Sequence, residues 1–422
     1  MKKVVSFILI MILSLSIVGC TVAPAQGETV NVITDAATEI KGENSTENST
    51  ENSTENSTEG ITESVSNFSL TAVEGSKLNI SELFTERDLE QNVDLNDAIK
   101  LNVTSNGSVD ITEEGVYLIS GEATDATIVV AAPEDAKVQL VLDGVTITNQ
   151  SIPAIYIKSG DKVFITTTAN NSTLTVNGAF TADGDTNTDA VVFSKSDLVL
   201  NGTGILTINS ATGNAITSKD DLKITGGTYV ITAEGHGLEA NDGIYIYEGT
   251  FTIKTQSDAI HSENDEDQSV GAIYIRNGQF DITAGDDAVR ATTVLQIDGG
   301  VINIQSSTEG LEATYIQING GELTLYSADD GINATNKSAE EVMIQVNGGT
   351  IDVTMGAGDT DGFDSNGSIE INEGIISVSG QSAFDADGTA TLNGGTVTVN
   401  GTEITEITLQ QMGPGGMGKK RP

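Results

Sequence analysis

Apolar and polar residues alternate along most of this chain, in short runs that recur at a nearly constant interval. Apolar side chains occupy every second position after each Gly-containing turn, as in TYVITA, TFTIKT, QFDITA and ELTLYS. Strict alternation is typical of β-strands that bury one face. After residue 20, no stretch shows a sustained helical period. The pattern therefore predicts an all-β protein.

A short motif with an apolar residue at its centre precedes each of these strands, and the spacing of these central residues gives the length of the repeat. Successive centres are separated by 22, 22, 29, 22, 21, 31 and 21 residues, and the longer steps contain extra polar residues at 263–269 and 336–341. The centres are Ile216, Leu238, Ile260, Val289, Leu311, Ile332, Phe363 and Phe384. One such unit cannot bury its own apolar face, so the units must stack as coils with parallel strands.

We therefore predict a right-handed parallel β-helix (β-solenoid) with about 21–22 residues per coil, its handedness taken from the crossover rule for parallel strands. It should occupy residues 115–405, with residues 65–114 as a cap on the first coil. Leu311, Ile332 and the column that contains Phe251 and Phe280 should point inward.

The two ends of the chain have a different character. Residues 1–20 combine two lysines, an apolar run and Gly19-Cys20, which is the pattern of a bacterial lipoprotein signal peptide. Residues 21–64, with their ENST repeats, and the Gly- and Met-rich residues 406–422 are predicted to be disordered. We expect Cys20 to carry a lipid that anchors the protein on the extracellular face of the cell membrane; a cleaved signal with an incidental cysteine is the alternative.

The formal charge of the chain is −42. Nucleic acid and anionic membrane surfaces would be repelled, so contact with a membrane is expected only through the lipid. Divalent cations, by contrast, would be attracted.

Carboxylates recur at the same two points of the repeat, two residues before and one residue after the apolar centre. Equivalent positions stack about 4.8 Å apart in a solenoid, where unit charges repel by roughly 3–4 kcal/mol per pair at an effective dielectric constant of about 20. A bound cation would relieve this repulsion, and oxygen ligands suit Ca²⁺. The candidate ligands are Asp258, Asp286, Asp287, Glu309, Glu312, Asp329, Asp330, Asn333, Asp361 and Asp364. A solvated acidic edge is the alternative.

The two histidines, His236 and His261, fall in the same columns. Because the single cysteine is used at the lipid site, we interpret them as polar coil-edge residues rather than zinc ligands. Arg290 is the lone cation within the columns, and neutralisation of its neighbours is the simplest role for it.

The coil motifs resemble a bacterial cell-surface family, the carbohydrate-binding domain-containing proteins. The resemblance covers roughly residues 90–400 and is carried by VQLVLDGVTITNQSIPAIYIKSGDKVFIT, SKDDLKITGGTYVITA, GDDAVRA, EGLEA and ADDGINA. It implies a right-handed parallel β-helix similar to family 9 pectate lyases, with bound calcium, that binds plant polysaccharides such as pectin or cellulose. The family's acidic positions match the candidate ligands above, except that Asn333 replaces an acid.

Three functions are compatible with these features. The first is non-catalytic, calcium-dependent binding of a polysaccharide, in which a file of outward side chains would stack on and hydrogen-bond the glycan. The file consists of Tyr245, Tyr274, Gln296, Gln317 and Gln345. The second is a calcium-dependent polysaccharide lyase with Arg290 as the candidate base. The third is a structural or adhesive surface rod.

Overall fold

The computed structural model describes residues 70–409, apart from residues 72, 265 and 359. The predicted signal peptide, Cys20 and the ENST tether lie outside these residues. Within the described part, no helix has the length and apolar character needed to span a bilayer.

Short strands make up almost all of the regular structure. In chain order, the elements are α1 Ile80–Leu83, β1 Ile99–Asn102, β2 Ser108–Ile111, β3 Gly115–Thr124, β4 Thr127–Ala131, β5 Lys137–Asn149, β6 Ile155–Ser159, β7 Lys162–Thr167, β8 Ser172–Val176, β9 Ala190–Ser194, β10 Asp197–Gly202, β11 Ile205–Ser210, β12 Asn214–Ser218, β13 Asp221–Ile224, β14 Thr228–Ala233, β15 Leu238–Ala240, β16 Gly243–Ile246, β17 Thr250–Thr255, β18 Ile260–Ser262, β19 Ala272–Ile275, β20 Gln279–Thr283, β21 Val289–Ala291, β22 Val294–Ile297, β23 Val301–Ser307, β24 Leu311–Ala313, β25 Tyr315–Ile318, β26 Glu322–Ser327, β27 Ile332–Ala334, β28 Met343–Val346, β29 Thr350–Met355, β30 Asp361–Ser365, β31 Ser368–Ile371, β32 Ile375–Ser379, β33 Ser382–Ala386, β34 Ala390–Leu392, β35 Thr396–Val399 and β36 Thr402–Ile404.

These strands stack as a parallel β-solenoid, as the repeat predicts. One strand of each coil joins a 12-stranded sheet that runs from β2 to β33, and the other strands form a 24-stranded sheet. Consecutive coils pair in parallel and in register, so that Leu311 lies opposite Ile332 and Phe251 lies opposite Phe280. Among the described strands, only β36 turns back, and it pairs antiparallel with β35.

The core is a set of inward columns, one apolar side chain per coil. Leu311 and Ile332 are fully buried, and the Phe251 and Phe280 rings stack with their centroids 4.6 Å apart. The prediction that these side chains point inward is confirmed.

Glycine forms the turn between the two strands that each coil contributes to the 24-stranded sheet. Gly321 has a φ of 93°, and a Cβ there would lie 2.8 Å from the carbonyl oxygen of Gly300 in the neighbouring coil. Only glycine combines this left-handed backbone with so close a stacking of turns.

The N-terminal part differs from the predicted cap. β1 and β2 belong to the first coil, but residues 75–91 run along the side of the 24-stranded sheet rather than over its end. The backbone N–H of Leu78 donates a hydrogen bond to the Gln296 side chain, and the Thr225 hydroxyl donates one to the carbonyl oxygen of Asp88. Gln296 and Thr225 lie on coils that are several turns apart. We call residues 75–91 the side strap. The apolar residues of the strap pack on the sheet, and this burial holds it along the side.

The predicted start of the C-terminal tail also needs correction. Ile407 and Leu409 are partly buried and pack against the core, so the ordered part extends to at least residue 409. The rest of the tail lies outside the described residues.

Candidate functional site

The acidic columns lie where the chain enters each short strand of the 12-stranded sheet. At two steps of the column, the carboxylate of one coil accepts a hydrogen bond from the backbone N–H of the equivalent residue in the next coil. Asp258 Oδ1 is 2.9 Å from the Asp287 nitrogen, and Asp330 Oδ1 is 2.8 Å from the Asp361 nitrogen. The backbone thus fixes the orientation of these carboxylates and stacks them coil upon coil.

Five of the predicted ligands come together into two groups of three. Oxygen atoms of Asp258, Asp286 and Asp287 lie within 4.8 Å of one another, and so do oxygen atoms of Asp287, Glu309 and Glu312. Asp287 is common to both groups, which we call the carboxylate cluster.

Burial makes this cluster electrostatically unfavourable without a cation. The residues Asp258, Asp287 and Glu312 are 1%, 5% and 8% exposed. Burial and the neighbouring charges of Glu309 and Asp258 raise the pKa of Asp287 to about 9. Burial and Glu312 raise the pKa of Glu309 to about 7, although a hydrogen bond from Asn333 opposes this rise.

The donor set of the cluster fits calcium. Ca²⁺ binds oxygen atoms at about 2.3–2.6 Å, so no two of its ligand atoms can lie more than about 5 Å apart. Each group of three carboxylates meets this limit. Asn333 lies beside the cluster: its amide nitrogen donates to Glu309 at 2.9 Å, and its buried Oδ1 has no hydrogen-bond partner.

The remaining predicted ligands form no comparable group. Burial and the charges of Asp330 and Asp361 raise the pKa of Asp364 to about 7, so these carboxylates are close neighbours. Among the described residues, however, they do not bring three ligand atoms within the same distance, and Asp329 is exposed.

Two cations lie beside the carboxylate cluster. Arg290 pairs with Glu263 and Glu312 at 3.3 Å each, and Lys337 Nζ lies 2.5 Å from Glu312 Oε2. Burial would lower the pKa of Arg290, but Glu312 and Glu263 outweigh it and raise this pKa. Arg290 is thus held firmly as a cation, which agrees with neutralisation and does not favour its use as a base.

The two long steps of the repeat form a cleft around these cations. Arg290 and Lys337 line a cleft of about 390 Å³ together with residues of both insertions. These are Glu263, Asn264 and Gln268 from the first and Asn336 and Ser338 from the second. Lys337 was not predicted as a site residue, although its place in an insertion beside the acidic column was the available signal.

The predicted glycan file exists as a column but is not exposed. Strand register aligns its members on adjacent coils, in the order Tyr245, Tyr274, Gln296, Gln317 and Gln345. Tyr274, Gln296 and Gln317 are 1%, 0% and 1% exposed, whereas Tyr245 and Gln345 are half-buried.

The side strap is what covers this file. The backbone N–H of Leu78 donates to Gln296 at 2.6 Å, and that of Lys77 donates to Gln317 at 3.0 Å. Phe84 packs on Tyr274, with ring centroids 6.3 Å apart. The expectation of an open stacking surface is therefore wrong for the middle of the file, because these side chains bind the protein's own N-terminal segment.

The chain is similar in sequence to proteins described as carbohydrate-binding. The family model of carbohydrate-binding domain-containing proteins matches residues 105–362 and 315–406, which is more than half of the chain. A carbohydrate-binding domain-containing protein of Acetivibrio thermocellus is 33% identical over 203 residues, which cover 47% of this chain and 71% of that protein.

The chain belongs to this family. The family predicted from the coil motifs is thereby confirmed. A solved structure described as a polysaccharide lyase-like protein from C. thermocellum, gadolinium derivative, is 30% identical and covers 52% of this chain and 92% of its own, with a TM-score of 0.45.

The family model matches one part of the described chain and leaves out another. The carboxylate cluster and the cleft lie entirely within the matched residues, whereas the side strap precedes residue 105. The strap is therefore an element outside the region that defines the family here.

Proposed function

We propose that this family member binds an acidic, uronate-containing polysaccharide of the pectin type in the cleft beside the carboxylate cluster, in a calcium-dependent manner. The observation that carries the proposal is the juxtaposition of two groups of three carboxylates with a cleft that contains Arg290 and Lys337. Membership in a family of carbohydrate-binding domain-containing proteins supports the ligand class.

Each side chain has a defined part in this proposal. Asp287, Glu309 and Glu312 would hold the ion, and burial of Asp287 and Glu312 keeps these two in place before it binds. Arg290 and Lys337 offer cationic N–H groups to uronate carboxylates, which a chain of charge −42 would otherwise repel. A bound Ca²⁺ would supply open coordination positions that uronate oxygens can share.

A binding assay with polygalacturonate tests this proposal. The full chain should bind polygalacturonate in calcium and lose binding in chelator. Asp287→Asn combined with Glu309→Gln should lose binding even in calcium, because it removes ligands from both groups. Asp352→Asn, an exposed carboxylate on β29, is the matched control and should bind normally.

Other outcomes would change the assignment. Normal polygalacturonate binding by the double variant would show that the carboxylate cluster is only an acidic edge. If the protein bound cellulose but not polygalacturonate, and did so without calcium, the ligand would be a neutral glycan that binds away from the carboxylate cluster. Release of unsaturated uronate products in the same assay would identify the protein as a lyase.

We also propose that the protein is held at the cell surface by a lipid on Cys20. The proposal rests on the sequence pattern of residues 1–20, which lie outside the described residues.

A further inference from the structure

Both histidines of the chain meet next to the carboxylate cluster, at one carboxylate. His261 Nδ1 lies 3.2 Å from His236 Nε2 and 3.4 Å from Asp258 Oδ2. His236 Nδ1 lies 3.5 Å from the same Asp258 oxygen. The repeat explains the meeting: His236 and Asp258 are equivalent residues of adjacent coils, and His261 follows Asp258 by three residues across the apolar centre.

The surroundings orient these groups towards one another. His261 Nε2 lies 3.0 Å from a Glu263 carboxylate oxygen, so Nε2 carries the proton and Nδ1 presents its lone pair to the triad. Asp258 uses Oδ1 to accept the Asp287 backbone N–H, which leaves Oδ2 for the histidines. His236 Nδ1 is buried and has no hydrogen-bond partner.

We propose that His236, Asp258 and His261 bind a divalent transition-metal ion of the zinc class, with Glu263 as the carboxylate that orients His261. At zinc–ligand distances of about 2.0–2.1 Å, the ligands of a tetrahedral site lie about 3.3 Å apart. The separations of 3.4 and 3.5 Å from His261 Nδ1 and His236 Nδ1 to Asp258 Oδ2 match that spacing, and one ligand atom from each of the three residues lies within 4.8 Å of the other two. A carboxylate on the distal nitrogen of a ligating histidine is the usual second shell of a zinc site.

The chemistry of the ligands separates this site from the carboxylate cluster. Imidazole nitrogen favours zinc, nickel or cobalt, whereas oxygen ligands alone favour calcium. Asp258 stands between the two, with the imidazoles on one side and Asp287 on the other. The two sites therefore adjoin but should take different ions.

Three protein ligands leave a fourth position on the ion. His261 and Glu263 also line a cleft of about 530 Å³, together with Lys219, Glu239 and Asn241. Zinc sites with three protein ligands keep the fourth position for water or a ligand, whereas structural sites use four protein ligands. A water molecule or a carboxylate oxygen of a ligand in this cleft is therefore the expected fourth partner.

Metal titration of the full chain tests the proposal, with Cys20 alkylated so that no thiol contributes. Competition with a chromophoric chelator should give one zinc ion per chain. His236→Gln and His261→Gln should each weaken zinc binding at least about 10-fold, and Glu263→Gln should weaken it about 10-fold through the orientation of His261. Asp287→Asn is the matched control, which should weaken calcium binding and keep zinc.

A measurement on the unmodified protein avoids reliance on variants that fold poorly. Because the chain has two histidines, its NMR spectrum contains two imidazole spin systems. Zinc should shift both strongly by direct ligation, whereas calcium should shift them less, through Asp258 alone. Zinc binding that survives in the double histidine variant, or imidazole signals that do not respond to zinc, would overturn the proposal. Loss of zinc binding in Asp287→Asn with the histidine signals unmoved would assign the ion to the carboxylate cluster instead.

Discussion

Asp287 is the residue on which the carboxylate cluster depends most, because it belongs to both groups of three and is almost completely buried. Its pKa of about 9 means that, without a cation, the folded chain keeps a proton on this carboxyl at neutral pH. The unfolded chain has no such neighbours and releases the proton near pH 4. Asp287 therefore couples folding to pH.

The metal-free chain should lose stability as pH rises. Between about pH 4 and pH 9 the folded state holds a proton on Asp287 that the unfolded state has released, so the free energy of unfolding falls with pH across this window. Thermal denaturation in chelator at several pH values measures the slope. Asp287→Asn should flatten it, saturating calcium should remove it, and an unchanged slope in the variant would contradict the role of this carboxyl.

Leu311 represents the inward column of the 12-stranded sheet. Replacement by Ala should lower the free energy of unfolding by about 2–5 kcal/mol, because the stacked coils cannot collapse into the cavity. The control is Ile375→Ala, since Ile375 is 61% exposed and its loss should cost about 0.5 kcal/mol or less. Chemical denaturation measures both, and equal effects of the two substitutions would contradict the inward register.

At the scale of elements, the side strap is held by contacts unlike those between coils. Phe84 packs edge-on against Tyr247 at 5.6 Å, and the fully buried Asp88 accepts a hydrogen bond from Lys162 at 3.1 Å. The backbone N–H groups of Lys77 and Leu78 in the strap donate hydrogen bonds to glutamine side chains rather than to a neighbouring strand. The strap is therefore tied down by a few anchors, so that loss of one should loosen the whole segment.

Phe84→Ala should free the strap while the solenoid stays folded. Truncation of a buried Phe costs about 3–5 kcal/mol, which is enough to open a short segment locally. Hydrogen exchange of the Lys77 and Leu78 amides should become much faster, and exchange in the inward strands should not change. Glu82→Ala, an exposed change in the same segment, is the control; unchanged protection in Phe84→Ala would show that other contacts hold the strap.

The periodic elements could be predicted from the sequence, and the strap could not. Register follows from a repeat in which the apolar columns superpose, so the burial of Leu311 and the approach of Asp258 to Asp287 are encoded locally. Residues 75–91 have no repeat and bind side chains that lie between 74 and 263 residues later, as in the hydrogen bond between Leu78 and Gln296. The columns also predicted where the histidines lie, but not that their rings turn towards Asp258.

The whole molecule combines a long stack of coils with a large negative charge. Of its 80 acidic and basic side chains, 61 are acidic, so the surface repels polyanions except where cations are concentrated. Arg290 and Lys337 supply such a place at the cleft, and bound metal would extend it. Recognition of an acidic glycan would therefore be confined to one edge of the solenoid.

Attachment to the cell is a property of the whole chain and is tested separately. Cys20→Ala should move the protein from the membrane fraction to the medium, because the proposed lipid is its anchor. Fractionation and immunoblotting measure the distribution, and polygalacturonate binding of the released protein is the control for folding. Unchanged membrane association would show that the lipoprotein interpretation of residues 1–20 is wrong.

The side strap also sets an order of events during synthesis. Residues 75–91 leave the ribosome before any coil exists, yet Lys77 finds its partner Gln317 only 240 residues later. Asp88 meets Lys162 and Phe84 meets Tyr247 earlier, so the strap can dock stepwise from its C-terminal end as the coils form. Docking of the strap is thus completed only when the coil of Gln317 has formed, and a chain interrupted before Gln317 would never complete it.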